Sequence, residues 1–229
     1  VYLNYASYCD VLGVDFIAGY YHTKNVALNP DIRTERPYPI VTVQKYLEKA
    51  VAANAIQLKL SIEEVVAVAR QEIQVALPSS NQWRSLIQRG ADFLDQLLKD
   101  EGVIYGVTTG YGDSCLVEIP PHQVNELPLQ LSRFHGCGLG QNLDLITARA
   151  VVVTRLCSLA RGYSGVSLAL LERLAWMLNE NVIPVIPSEG SVGASGDLTP
   201  LSYIAGALVG ERDVYYQGQI VPIAEVYAE

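Results

Sequence analysis

From residue 61 onward, apolar residues recur three and four apart, which is the spacing of helices with one buried face. Ser61-Ile62-Glu63-Glu64 opens the first run. Ser61 can cap the helix, and Glu64, three residues on, can reach back to it, so the four residues form a capping box. Val65, Val66, Val68, Ala69 and Ile73 continue the pattern, which is expected to end before Pro78. A second helix is expected to start near Ser80 or Asn81, with Trp83, Leu86, Ile87, Phe93, Leu94, Leu97 and Leu98 as its apolar stripe. Further helices are expected over residues 123–134, 143–159 and 166–178. In the second of these, Leu145, Ile146, Ala148, Val151, Val152 and Leu156 should face inward, with Arg149 and Arg155 among them. Pro184 and Pro187 close the exit from the third. Asp197-Leu198-Thr199-Pro200 reads as a helix start with proline in the first turn, and the helix should run to Val209 and stop at Gly210. Residues 214–221 resemble a short β-hairpin. Ahead of all this, residues 41–58 can form a helix. Residues 1–40 are irregular, dense in tyrosine, with three prolines between Asn29 and Pro39. The expected organisation is an irregular N-terminal arm (1–40) and one mainly α domain (41–229) with a small β-hairpin element.

Composition narrows the class. The chain has 229 residues, half of them apolar and 17% charged, so it can build a core and is not a disordered polymer. Its net charge is −8 with three histidines, which leaves no basic footprint for a phosphate backbone. No nucleic-acid partner is expected. The early apolar run from Val11 to Tyr21 is broken by Asp15 and flanked by Asp10, so it is too short and polar to span a membrane, and no signal peptide precedes it. Cys9, Cys115, Cys137 and Cys157 show no C-x-x-C pairing and no clustering with histidine. They read as reduced thiols of a cytoplasmic protein, without a metal. The first residue is Val rather than Met, so the chain reads as a piece of a longer polypeptide.

Three glycine-rich segments interrupt the helices: Tyr105 to Gly112, His135 to Gly140, and Gly190 to Asp197. Any one of them alone reads most simply as a helix connection. A P-loop needs a lysine after its glycines, and none is present. A dinucleotide loop needs G-x-G-x-x-G between a strand and a helix, whereas Gly136-Cys137-Gly138-Leu139-Gly140 lacks that spacing and follows a helix. A nucleophile elbow needs G-x-S-x-G; Gly193-Ala194-Ser195-Gly196 and Gly162-Tyr163-Ser164-Gly165 are each one residue short. A fourth chemistry uses Ala194-Ser195-Gly196 itself. In a compressed loop the Gly196 nitrogen can attack the Ala194 carbonyl carbon, because glycine lacks a Cβ and tolerates strained dihedrals. Loss of two waters, one from the Ser195 side chain, leaves an exocyclic methylidene on a five-membered imidazolone ring, a strong electrophile that no ordinary side chain supplies.

Gly193 to Asp197 followed by Leu198-Thr199-Pro200-Leu201-Ser202 closely resembles the signature of the aromatic amino acid ammonia-lyase and aminomutase family. Tyr105 to Gly112 is similar to that family's tyrosine loop, and Ala160-Arg161-Gly162-Tyr163-Ser164-Gly165-Val166 matches a helix-boundary segment. The resemblance covers residues 61 to 229. It implies a mainly α fold, here the N-terminal domain bearing a 4-methylideneimidazole-5-one (MIO) group made from Ala194, Ser195 and Gly196, with no metal or nucleotide. It implies that the substrate amine adds to this group and that Tyr105 removes a proton from the substrate β-carbon. Gly112 is placed with the substrate-binding residues of the tyrosine loop. Phe134 and His135 fall where family members set side-chain selectivity. The pair mixes two patterns, and favours an aromatic L-amino acid such as tyrosine or phenylalanine over histidine.

The resemblance implies a lyase that releases ammonia and an aryl acrylate, or an aminomutase built from the same groups. Family members are considerably longer, act as homotetramers, and draw further groups from a long C-terminal helical bundle that this sequence does not contain. Accordingly the 229-residue chain by itself is expected to be an inert domain, to keep the triplet uncyclised, and to expose an apolar face near residues 143–178.

Overall fold

The computed structural model describes residues 60–100, 103–193 and 198–228. The expected arm (1–40) and the expected helix at 41–58 lie outside the described residues. The helices are α1 (Ile62–Ala69), α2 (Asn81–Lys99), α3 (Leu127–His135), α4 (Leu145–Ala160), α5 (Leu168–Asn179), α6 (Leu198–Leu208) and α7 (Ile223–Ala228). The strands are β1 (Leu139–Asn142), β2 (Ile183–Pro184), β3 (Pro187–Glu189), β4 (Asp213–Tyr216) and β5 (Gln219–Pro222). The fold is mainly α, as expected. It holds more β structure than the one hairpin: β1 pairs antiparallel with β3, and β2–β4–β5 form a second sheet.

The helix starts follow local chemistry. Ser61 and Glu64 make the reciprocal capping box, with Ser61 N–H donating to Glu64 Oε2 at 2.8 Å. Ser80 caps α2 by accepting the Trp83 N–H. The end of α1 departs from expectation. The helix stops at Ala69, well short of Pro78, because Gln71 takes φ +59° and the Gln71 and Glu72 amides bond back to Val68 and Ala67. That is a Schellman ending without glycine. Two distant groups hold it. Buried Arg149 of α4 donates to the Ala69 carbonyl and to Asn181 Oδ1. Asn179 pairs with both the N–H and the carbonyl of Val75. Similarly α3 begins at Leu127 rather than 123. Pro128 in its first turn bars upstream helix, because its ring clashes with the carbonyl four residues back.

Helix α4 is the packing centre, with α1 and α5 against it. Ten of its residues are buried, so it is covered almost all round. The expected apolar face at 143–178 is not fully exposed: Ile146 and Tyr163 are exposed, at separate places, while Leu145, Val166, Leu168 and Leu170 are half-buried against the core. Ile146 therefore points outward, against expectation. So does Phe93, which is 69% exposed because it lies about 100° round the helix from the Trp83–Ile87–Leu94 line. Trp83 is fully buried and donates its indole N–H to the Ala160 carbonyl at 2.8 Å. Beside it α2 crosses the bend after α4 at two glycines, where a Cβ on Gly90 would meet Gly165 Cα at 3.4 Å.

A second apolar cluster joins α5, α6, the hairpin and α7 through Met177, Val182, Ala207, Val214, Ile223 and Val226. The hairpin turns at Gln217-Gly218, both at positive φ, the geometry of a type I′ turn. Among the described residues no helix is long and apolar enough to cross a membrane.

Candidate active site

The tyrosine loop is shaped by its own backbone. Gly110 N–H bonds to Val117 O, Ile119 N–H bonds to Thr108 O, and Thr109 bridges Glu118. The Thr108 hydroxyl accepts the Ile104 N–H, and the Thr109 hydroxyl accepts the Gly106 N–H. Gly106 sits at φ +72°, which turns the chain so that Tyr111 can donate its hydroxyl to the Gly106 carbonyl at 2.7 Å. The result for Tyr105 is specific. Its ring packs edge-on to Tyr111, with centroids 6.1 Å apart, and its phenolic oxygen accepts the Gly112 N–H at 2.9 Å. Gly112 opens a 3-10 turn, so the N–H it offers is one of the free donors of a helix start. Tyr105 remains 43% exposed, open to a partner from outside the loop.

The second part of the site surrounds the end of α3. Phe134 is exposed, and its ring centroid lies 5.5 Å from that of His135. His135 is half-buried. Burial pushes its pKa below the ordinary histidine value, and its Nδ1 finds no hydrogen-bond partner among the described residues. The chain leaves α3 through Gly136-Cys137-Gly138 into β1, whose Leu139 pairs with Glu189 of β3. β3 leads straight to Gly190.

There the backbone is clamped. Leu198 N–H donates to Val192 O at 3.2 Å, and Thr199 N–H donates to Ser191 O at 2.9 Å. Both bonds come from the first turn of α6, so the five residues 193–197 are closed at their base by the helix that follows them. Gly190 is packed against Thr199, with no room for a Cβ. Ala194, Ser195 and Gly196 lie outside the described residues. The observation that bears on an internal ring closure there is the pair of bonds on either side, Val192 with Leu198 and Ser191 with Thr199.

Two of the sequence-predicted segments are thus brought together: the β1–β3 ladder and the packing of α3 on α6 join the Phe134–His135 end to the Gly190 loop. Sequence reasoning missed Tyr203 and Arg212, which tie the α3 exit to α6. Tyr203 carried no signal beyond being one of several aromatic residues in an apolar helix. Among the described residues no group of three His, Cys, Asp or Glu side chains is placed to hold a metal.

The family model described as aromatic amino acid lyase matches residues 60–229. The chain belongs to the aromatic amino acid lyase family. It is 38% identical to a histidine ammonia-lyase of Streptococcus gordonii over 162 residues, 71% of this chain and 31% of that protein. The tyrosine aminomutase of Streptomyces globisporus matches at TM-score 0.68 with 38% identity, over 74% of this chain and 31% of that one. The phenylalanine aminomutase of Pantoea agglomerans matches at TM-score 0.67 with 31% identity, over 74% of this chain and 32% of that one. The chain spans about a third of the length of the curated relatives it matches.

Proposed function

We propose that this aromatic amino acid lyase chain carries the electrophile and the base of an enzyme that eliminates ammonia from an aromatic L-amino acid, with tyrosine or phenylalanine preferred to histidine. The observation that carries the reading is the double clamp of Leu198 on Val192 and Thr199 on Ser191, which brackets Ala194-Ser195-Gly196. Those three residues would supply the MIO group, whose chemistry when present is to draw electrons from the substrate amine.

The remaining roles fall to side chains of the chain itself. Tyr105 takes the proton from the substrate β-carbon at its phenolic oxygen. Gly112 N–H, already donating to that oxygen, fixes its direction and is a donor suited to the negative charge that a phenolate base carries before it takes the proton. His135 faces the substrate side chain. Burial keeps it neutral near pH 7, so it can accept a hydrogen bond from a phenol. Phe134 offers an apolar surface beside it. The reading carries with it a cytoplasmic homotetramer. Because the chain spans a third of its relatives' length, the 229 residues alone are expected to leave the triplet uncyclised and to turn over little or no substrate.

An aminomutase is the second reading, favoured by the tyrosine and phenylalanine aminomutases among the solved relatives. It would use the same residues and return the amine to the β-carbon.

The test uses the protein expressed from its complete reading frame. Incubated with tyrosine, phenylalanine and histidine, it should release ammonia and an aryl acrylate, fastest with the first two. Ser195→Ala should abolish turnover and the mass deficit of two waters. A β-amino acid product would establish the aminomutase, preference for histidine would overturn the substrate assignment, and full activity of Ser195→Ala would overturn the chemistry.

A further inference from the structure

One hydroxyl holds the segment that leaves α3. The Tyr203 phenol, in a side chain 8% exposed, donates to the Gly136 carbonyl at 3.1 Å and accepts the Gly138 N–H at 3.1 Å. It therefore spans Cys137 and fixes the chain on both sides of it, immediately after His135. Arg212 backs this contact. Its guanidinium lies over the Tyr203 ring, 4.7 Å from the centroid, and donates to the same Gly136 carbonyl at 3.1 Å. A cation at that carbonyl also suits the negative end of α3. The fit is close enough to exclude side chains: a Cβ on Gly136 would fall 2.0 Å from an Arg212 nitrogen, and one on Gly206 would fall 2.5 Å from Arg212 Cγ.

Tyr203 stands five residues into α6, about 7.5 Å along the axis from Leu198. Leu198 is the residue whose amide clamps the Gly190 loop. One short helix thus holds the electrophile-bearing loop at its first turn and the His135 segment at its second. We propose that Tyr203, with Arg212 behind it, is a positioning residue: it sets where His135 stands relative to the clamped Gly190 loop and so helps decide which aromatic side chain is accepted. This rests on the ammonia-lyase reading and adds to it a residue that touches neither substrate nor electrophile.

The test is Tyr203→Phe in the protein from the complete reading frame, with Arg212→Lys as a second variant that keeps the charge and loses the fork. Removing the phenolic hydroxyl, and with it both of its hydrogen bonds, should raise KM for the preferred amino acid roughly 3–10-fold while kcat changes less than about 2-fold, the mark of lost binding common to ground and transition states. The ratio of kcat/KM between tyrosine, phenylalanine and histidine should shift with it. Amide exchange at Gly138 should speed up in Tyr203→Phe. A uniform fall in kcat/KM for all three substrates, or unchanged exchange at Gly138, would overturn the proposal and reduce Tyr203 to packing. Should Tyr203→Phe not fold, the substrate ratio of Arg212→Lys decides alone. Absence of turnover in the unsubstituted enzyme would instead sink the lyase reading, a result that exchange at Gly138 keeps separate from the holding role of Tyr203.

Discussion

The ring of Tyr111 lies so close over Gly106 that a Cβ there would come within 2.6 Å of its Cε1. The same tyrosine donates its hydroxyl to the Gly106 carbonyl, and its ring supports Tyr105 edge-on. Gly106→Ala therefore meets both a backbone at φ +72° and a ring that cannot withdraw without losing its hydrogen bond. The loop should open while the rest of the fold stays. With Tyr105 displaced by about 1 Å, kcat should fall on the order of 100-fold. Steady-state kinetics with a melting curve check this: full activity would show that Tyr105 does not need the turn.

His135 should contribute a pH dependence of stability. Burial disfavours its charged form, so its native pKa lies below the ordinary value of 6.5. Between the two values the unfolded chain binds a proton that the native chain does not. Stability is therefore complete above about pH 6.5 and declines on acidification towards the native pKa. Unfolding midpoints taken between pH 7.5 and 5.5 should fall more steeply for the native sequence than for His135→Gln. Equal slopes would refute burial as the cause.

The thiols should differ sharply in reactivity. Cys157, on α4, is half-buried against the core, and burial pushes its pKa up to about 11. At pH 8 only about 0.1% of it is thiolate, the reactive form. Cys137 is exposed. Maleimide labelling of the native protein followed by peptide mapping should modify Cys137 and spare Cys157 until denaturant is added. Rapid labelling of Cys157 would mean that α4 opens readily.

Two substitutions test what holds the core. Arg149→Met deletes the donors to the Ala69 carbonyl and Asn181 and so removes one of the two distant groups that hold the end of α1. Charged hydrogen bonds of this kind should make the loss about 2–4 kcal/mol. Trp83→Phe keeps most of the volume but strands the Ala160 carbonyl, which should cost about 1–3 kcal/mol. Urea unfolding measures both, and a change under 0.5 kcal/mol in either would contradict the bonding described.

What could be read from the sequence was local. Ser61 with Glu64 and Ser80 announced helix starts, Gly210 announced an end, and Gln217-Gly218 announced the hairpin, because each acts within a few residues of itself. What escaped was set by distant partners. Nothing around Gln71 says that α1 stops at Ala69; Arg149 and Asn179, far along the chain, decide it. The pairing of β1 with β3 joins two stretches without alternation, and its register depends on where α3 and α6 lie. The candidate site divides in the same way. Tyr105, Phe134, His135 and the Ala194 triplet stand in recognisable strings, whereas Tyr203 acquires its role only when α6 folds against the exit of α3.

The glycine contact between α2 and the bend after α4 sets the spacing of those two segments with backbone alone. A Cβ on Gly165 would come within 3.2 Å of the Gly90 carbonyl oxygen, and one on Gly90 would meet Gly165 Cα. A methyl group at Gly90 would rest in ordinary contact with Gly165, whereas one at Gly165 would meet both that oxygen and a backbone at φ +61°, so Gly165 is the position that resists a side chain. Over evolutionary time position 90 should therefore admit small side chains, while position 165 stays glycine.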